Sequence, residues 1–154
     1  MEVINIDKSQ MSDCASLAPR VREADKREIF AAQGVTPITA LIASVRASSH
    51  AYTVTVDDEP EIMFGVVPAS IVYGHGVPWL LASDYVEKRP LTFLRGSVKA
   101  LEDITSKYDS LANFVDARNT HAIRWLDWLG FEVGEPIDYG LFQLPFHPFV
   151  MEVN

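Results

Sequence analysis

The chain has 154 residues, 48% of them hydrophobic and 22% charged, a composition that excludes disorder and suits one domain with a sizeable core rather than two. Its net charge of −8 argues against nucleic acid as a partner, because phosphate contacts need a basic surface. One cysteine, Cys14, excludes an intrachain disulfide or a thiolate metal cluster and is expected to be a buried structural thiol; no apolar run approaches a membrane span, and the N-terminus lacks the pattern of a signal peptide.

In chain order, Val3, Ile4 and Ile6 predict a short strand, after which Asp7 or Ser9 could cap a helix. Residues 12–33 alternate at helical spacing through Leu17, Val21, Ala24, Ile29 and Phe30, with a break expected at Pro19 and a stop at Gly34. Thr36 and Pro37 open another helix as cap and first-turn residue, with Ile38, Leu41, Ile42 and Val45 as its apolar face. Residues 51–56 alternate as a strand. Residues 57–60 make a hairpin turn, and 61–68 read as a central strand buried on both sides. A loop at 74–76, a strand at 77–83 and an irregular segment at 84–92 follow. Leu94, Val98, Leu101, Ile104 and Tyr108 predict a helix over 93–108.

The stretch 111–131, LANFVDARNTHAIRWLDWLGF, is the most informative. It reads as a strand over 111–115, a tight turn, an amphipathic helix over 120–129 and a glycine stop at Gly130, then a short strand over 131–133. Trp125 and Trp128 are both expected in the core. Residues 141–151 look extended, but Pro145 and Pro148 predict that they cannot pair fully along their length, and that pairing weakens beyond Pro148. The order predicts an α/β fold, a mixed central sheet with helices on both faces, spanning 1–154 with a tail at 146–154.

That order, with Asn113, Asn119, Ile123, Arg124, Leu126 and Gly130 and the later Phe142-Gln143-Leu144, resembles the acyl-CoA-dependent N-acetyltransferase (GNAT) fold. VPWLLASD before the long helix and FLRGS at its start are similar to a set of small GNAT-like proteins of tailed bacteriophages, among them a T7-type protein linked to virion assembly. The resemblance implies a cofactor, acetyl-CoA, if the chain is active, and otherwise none. Its pyrophosphate would be held by backbone N–H groups in a glycine-rich turn before a helix, where the dipole and unpaired donors favour an anion. Here that turn, 87–97, holds only Gly96, and Pro90 removes a donor; Arg89, Arg95, Gly96 and Ser97 are the candidate phosphate ligands, against a plain solvated basic helix start. Asn119 matches the asparagine that helps hold the pantetheine arm, although an N-cap is the ordinary role of its type. The position of the tyrosine that protonates the leaving thiolate is Leu126, which carries no proton.

A general base would be Glu61, with Asp84 and Asp116 as alternatives at strand ends; Glu61 also fits a solvated surface carboxylate. His50, His75, His121 and His147 show no metal-ligand spacing. The apolar tail, with Phe146, Phe149 and Met151, is expected to pack on a partner chain. Two readings stand. One is a structural or assembly component of a phage virion with a degenerate acetyltransferase site, contacting other phage structural proteins near the portal, tail or internal core. The other is an active cytoplasmic acetyl-CoA-dependent N-acetyltransferase acting on an amine. Neither involves nucleic acid, membrane or metal.

Overall fold

The computed structural model describes residues 1–70 and 74–153; Asn154, last residue of the predicted tail, lies outside them. Eight strands form one sheet in the order β1-β2-β3-β4-β5-β8-β6, with β7 paired to β8 beside β6. Strands β1 (Ile4–Lys8), β2 (His50–Val56), β3 (Glu59–Ser70) and β4 (His75–Ala82) make an antiparallel half. Strands β5 (Ser110–Asp116), β6 (Glu132–Val133), β7 (Ile137–Tyr139) and β8 (Leu144–Glu152) make the other. Among the described residues the backbones of the two halves pair in parallel at His75 with Ser110 and Gly76 with Leu111. Beyond these pairs β4 and β5 diverge.

Helices cover both faces because the strands alternate their apolar residues to both. On one face α1 (Met11–Leu17), α2 (Glu23–Gln33) and α3 (Pro37–Ala47) pack Cys14, Leu17, Ile29 and Leu41 against Met63 and Leu81. On the other, α5 (Pro90–Thr105) and α6 (Thr120–Leu129) lay Phe93, Ile104 and Leu126 over Ile62, Val66, Leu111 and Phe149. A 3₁₀ turn at Ala18–Arg20 carries the predicted break at Pro19. Asp57 and Asp58, at φ +50° and +67°, make the two-residue hairpin turn, whose left-handed conformation the short aspartate side chain tolerates better than most.

Several expectations are corrected. The segment 84–92 is not irregular: it holds a single turn, α4 (Tyr85–Lys88), and α5 already begins at Pro90, since proline is favoured at the first helical position. β4 begins at His75, inside the expected loop. Strand β7 lies between the predicted elements. β8 pairs with β5 continuously from Phe146 to Glu152, so pairing does not weaken beyond Pro148. Both prolines are placed where a donor is not needed. The Pro148 carbonyl accepts from Gly134 N (2.8 Å), so its backbone faces the break between β6 and β7. The Pro145 carbonyl accepts from Ala117 N (3.1 Å), one residue past the end of β5.

Candidate functional site

The divergence of β4 from β5 leaves an open edge on β4 and a cavity of about 320 Å³ lined by residues of both helical layers, among them Glu28, Leu80, Asn113, Asn119 and Trp125. The backbone groups of Pro78 and Ala82 point into this gap. The Pro78 carbonyl accepts from Asn113 Nδ2 (2.8 Å), a side chain bridging where the strands no longer pair. At the wide end Ala82 is bonded on both sides by the start of α2: its carbonyl accepts from Arg22 N (2.9 Å), and its N–H donates to Asp25 Oδ2 (3.2 Å). An antiparallel bridge between Val21 and Ser83 extends the contact. The N-terminal approach to α2 thus acts as a short substitute strand beside the end of β4.

A buried polar network closes the same end. The Arg22 side chain is 1% exposed; its Nη2 donates to Asp25 Oδ1 and to Asn119 Oδ1, both at 2.8 Å, and its guanidinium lies 4.9 Å from the Trp125 ring centre. Asn119 Nδ2 donates to Asp25 Oδ1 and to Glu28 Oε1, both at 3.2 Å. Glu28 Oε1 also accepts from Asp116 N (2.9 Å). Burial of the Glu28 carboxyl, with the charge of Asp25 next, pushes its pKa up to about 7 against the bonds from Asp116 N and Asn119. Asp116 is 2% exposed. Burial raises it, but two bonds from the Arg118 guanidinium (2.7 and 3.0 Å) and one from Arg118 N outweigh that and hold it below the usual carboxylate range.

No family model and no curated protein matches this chain; solved structures do. A spermidine N-acetyltransferase chimera of Vibrio cholerae SpeG and hSSAT superposes with a TM-score of 0.74 at 8% identity, over 97% of this chain and 95% of that one. A protein of Streptococcus mutans UA159 gives 0.73 at 13%, over 97% and 99%. The yncA protein of Salmonella typhimurium, solved with its cofactor acetyl-CoA, gives 0.68 at 12%, over 99% and 95%. The fold is that of the GNAT acetyltransferases. Identity at this level establishes the fold alone.

The splaying of the fourth and fifth strands is what opens the cofactor cleft in the GNAT fold; here the gap is open along β4, but the residues at its wide end do not fit a cofactor arm. Asn119 stands at the N-cap of α6 without capping it, because its amide is spent on Arg22, Asp25 and Glu28. Ala82 is already bonded by the chain itself. Leu126 packs on the sheet. At the start of α5, Arg89 is the N-cap residue, exposed and ion-paired with Glu2 at 3.0 Å. Arg95 is exposed in the helix and Ser97 Oγ donates back to the Phe93 carbonyl (2.8 Å); Gly96 and Ser97 line the cavity, and Gly96 leaves open space there where a Cβ would stand.

Glu61 lies across β4 from the gap, paired with Arg20 and accepting from Ser83 Oγ (2.7 Å); its side chain is 16% exposed, which corrects the solvated alternative. Asp84 is exposed at the start of α4, whereas Asp116 joins the buried network. Cys14 is fully buried, and burial with the Asp13 charge raises its thiol. Phe146 and Phe149 are 1% and 7% exposed within the sheet and Met151 is half-buried, so the tail expected to reach a partner is a central strand. Exposed apolar groups lie elsewhere, among them Phe30 and Phe142, stacked at 5.3 Å, with Leu141, and Ile4 and Ile6 on β1. Trp125 packs edge-on against Phe93 at 4.7 Å, but Trp128 is 55% exposed. At roughly 100° per residue it falls opposite the stripe of Ala122, Leu126 and Leu129.

Sequence reasoning missed Arg22, Asp25 and Glu28. Their spacing of three places them on one face of α2, and that shared face was the available signal. Among the described residues no group of three or more His, Cys, Asp or Glu is placed to hold a metal. Among the described residues no single helix is long and apolar enough to cross a membrane; α2 and α3, which pass only together, are bent by 72° and pack through Ile29, Ala40 and Leu41.

Proposed function

We propose that this chain is a GNAT-fold protein whose acetyl-transfer site is closed at its wide end by its own residues, and that it serves as a structural or assembly component of a bacteriophage particle. The carrying observation is Ala82. The last gap-facing backbone groups of β4 are bonded to Arg22 and Asp25, and the asparagine that would meet a cofactor arm is locked in the same network. A ligand entering there would break a buried, charge-assisted network, a loss that a few new hydrogen bonds do not offset. Leu126 in place of a proton donor and the single glycine of the 87–97 turn support the same reading. The likeness of 77–84 and 93–97 to phage proteins supports the particle role, in which contacts to other virion proteins fall to the exposed Phe30, Leu141 and Phe142 rather than to Phe146 and Phe149.

Acetyl transfer to an amine is the second reading, favoured by Glu28. A carboxylate with a pKa near 7 beside the 320 Å³ cavity is poised to take a proton from an ammonium group. One comparison separates the two. Acetyl-CoA and ADP both carry a pyrophosphate, but only acetyl-CoA has the arm that would enter the gap. A gap closed at its wide end predicts equal thermal stabilisation by both. An arm that binds a hundredfold more tightly than ADP adds about 2.7 kcal/mol at equal saturating concentrations, and that increment with release of free thiol on adding polyamines would establish the enzyme reading. The particle role predicts the chain at fixed stoichiometry in purified virions; its absence from them would end that proposal.

A further inference from the structure

Outside the gap lies a second cleft, of about 460 Å³, between the starts of α2 and α6. It is lined by Arg20, Arg22, Lys26, Arg27 and Arg118, five of the thirteen Lys and Arg residues of a chain whose net charge is −8. Three carboxylates, Glu23, Asp84 and Glu87, line it too, and Arg20, Arg22, Lys26 and Arg118 are ion-paired with Glu61, Asp25, Glu23 and Asp116, so the cations alone do not mark an anion site. Both helices present uncapped N-termini to it: neither Arg22 at the start of α2 nor Asn119 at the start of α6 makes a side-chain cap. For α6 the reason is the network just described, which draws the Asn119 amide inward. The first-turn N–H groups of Glu23, Ala24, Thr120 and His121 have no acceptor among the described residues, and two helix dipoles converge on the space in front of them.

A second, independent observation points the same way. Arg22 is the largest fully buried side chain, yet its Nε and Nη1 have no hydrogen-bond partner among the described residues. Buried guanidinium donors are ordinarily satisfied. Nη1 is directed at Glu87 on the facing wall of the cleft, 3.7 Å from Oε1, and the same oxygen lies 3.3 Å from His121 Nε2. That carboxylate is 36% exposed. It stands where an anion would bridge Arg22 to the start of α6, too far to make a hydrogen bond itself.

We infer that this cleft is a phosphate-binding site, with Arg22 as its buried donor, the first turns of α2 and α6 as its cradle and Lys26 and Arg27 at its rim, and that Glu87 is the carboxylate a bound phosphate displaces. It uses none of Arg89, Arg95, Gly96 and Ser97, the residues of the 87–97 turn predicted to bind phosphate. It also does not depend on the wide end of the gap being open, so it stands whether or not the chain transfers acetyl groups.

The test is titration of inorganic phosphate into the full chain at constant ionic strength, chloride being the compensating ion. The readout is the backbone amides of Ala24, Thr120 and His121 and the Nε–H of Arg22 by ¹H–¹⁵N spectroscopy. The site predicts saturable shifts at these four groups. Lys26→Ala with Arg27→Ala weakens binding about two- to fivefold, and Glu87→Gln strengthens it by a similar factor. The same titration with ADP assigns the source: tighter saturation at the same amides means a nucleotide pyrophosphate, equal saturation a free oxyanion. Shifts scattered over surface lysines and arginines, or none up to tens of millimolar, overturn the proposal. So does a Glu87→Gln variant that binds no better while its spectrum shows an intact fold.

Discussion

The starts of α5 and α6 make an instructive pair. By sequence, α5 is the phosphate-binding helix, preceded by Arg89 and carrying Arg95, Gly96 and Ser97 in its first half. In space its start carries a proline, a guanidinium paired with Glu2 and two side chains turned to solvent or back to the helix. The start of α6 has no motif beyond one asparagine, yet Arg22, Asp25, Glu28, Asp116 and Arg118 assemble around it. A phosphate turn is a local device and can decay residue by residue. A cluster built across three elements is visible only once the chain has folded.

Substitutions should separate the two starts sharply. The largest effect is expected for Arg22→Ala, which strands Asp25 beside Glu28 in a buried site; a loss of about 3–5 kcal/mol by chemical denaturation is predicted. Glu28→Gln comes next and depends on pH. A carboxyl raised from 4.5 to about 7 binds its proton more tightly in the folded chain. Its contribution is therefore complete below the unfolded value and lost as pH rises through 7. Gln keeps an oxygen for Asp116 N and Asn119, so the variant should gain on the wild type by on the order of 2–3 kcal/mol between about pH 4.5 and 8. A gap that stays constant across that range would mean Glu28 is not perturbed.

Arg118→Ala has the opposite pH signature and a smaller size. Asp116 is held below its ordinary range chiefly by Arg118 against the pull of burial, so its contribution is present above the unfolded carboxylate pKa and lost as pH falls through the lowered one. The variant should cost about 1–2 kcal/mol near neutrality, since Arg118 is itself half-exposed, with the difference shrinking in acid. The smallest effect belongs to α5. Arg89→Ala and Arg95→Ala should each change stability by under about 0.5 kcal/mol and leave phosphate titrations unchanged. A loss of phosphate binding in either would reverse the comparison.

Much of the fold was legible because its signals are local. The helix at Thr120–Leu129, the hairpin at Asp57 and Asp58 and the break at Pro19 follow from periodicity, turn chemistry and proline sterics, which act within a few residues. β8 was misjudged because a proline is costly only if its missing donor faces a continuous neighbour. Where β6 and β7 part and where β5 ends cannot be read from Pro145 and Pro148 themselves. Trp128 was misplaced because hydrophobicity was counted without its angle on the helix. Asn119 was singled out correctly as a position, but its partners lie 91 to 97 residues away, and Arg22, Asp25 and Glu28 read in sequence as an ordinary polar helix start.

The central claim is that the β4–β5 gap ends in the chain's own hydrogen bonds, and the Ala82 amide reports on it most directly. Its hydrogen exchange can be followed in the free protein and with millimolar acetyl-CoA. The closed site predicts a strongly protected Ala82 N–H whose rate is the same in both, even if the cleft at α6 takes up the phosphates. Fast exchange in the free protein that becomes protected when acetyl-CoA is added would show that the wide end of the gap is open and that the cofactor arm binds in it.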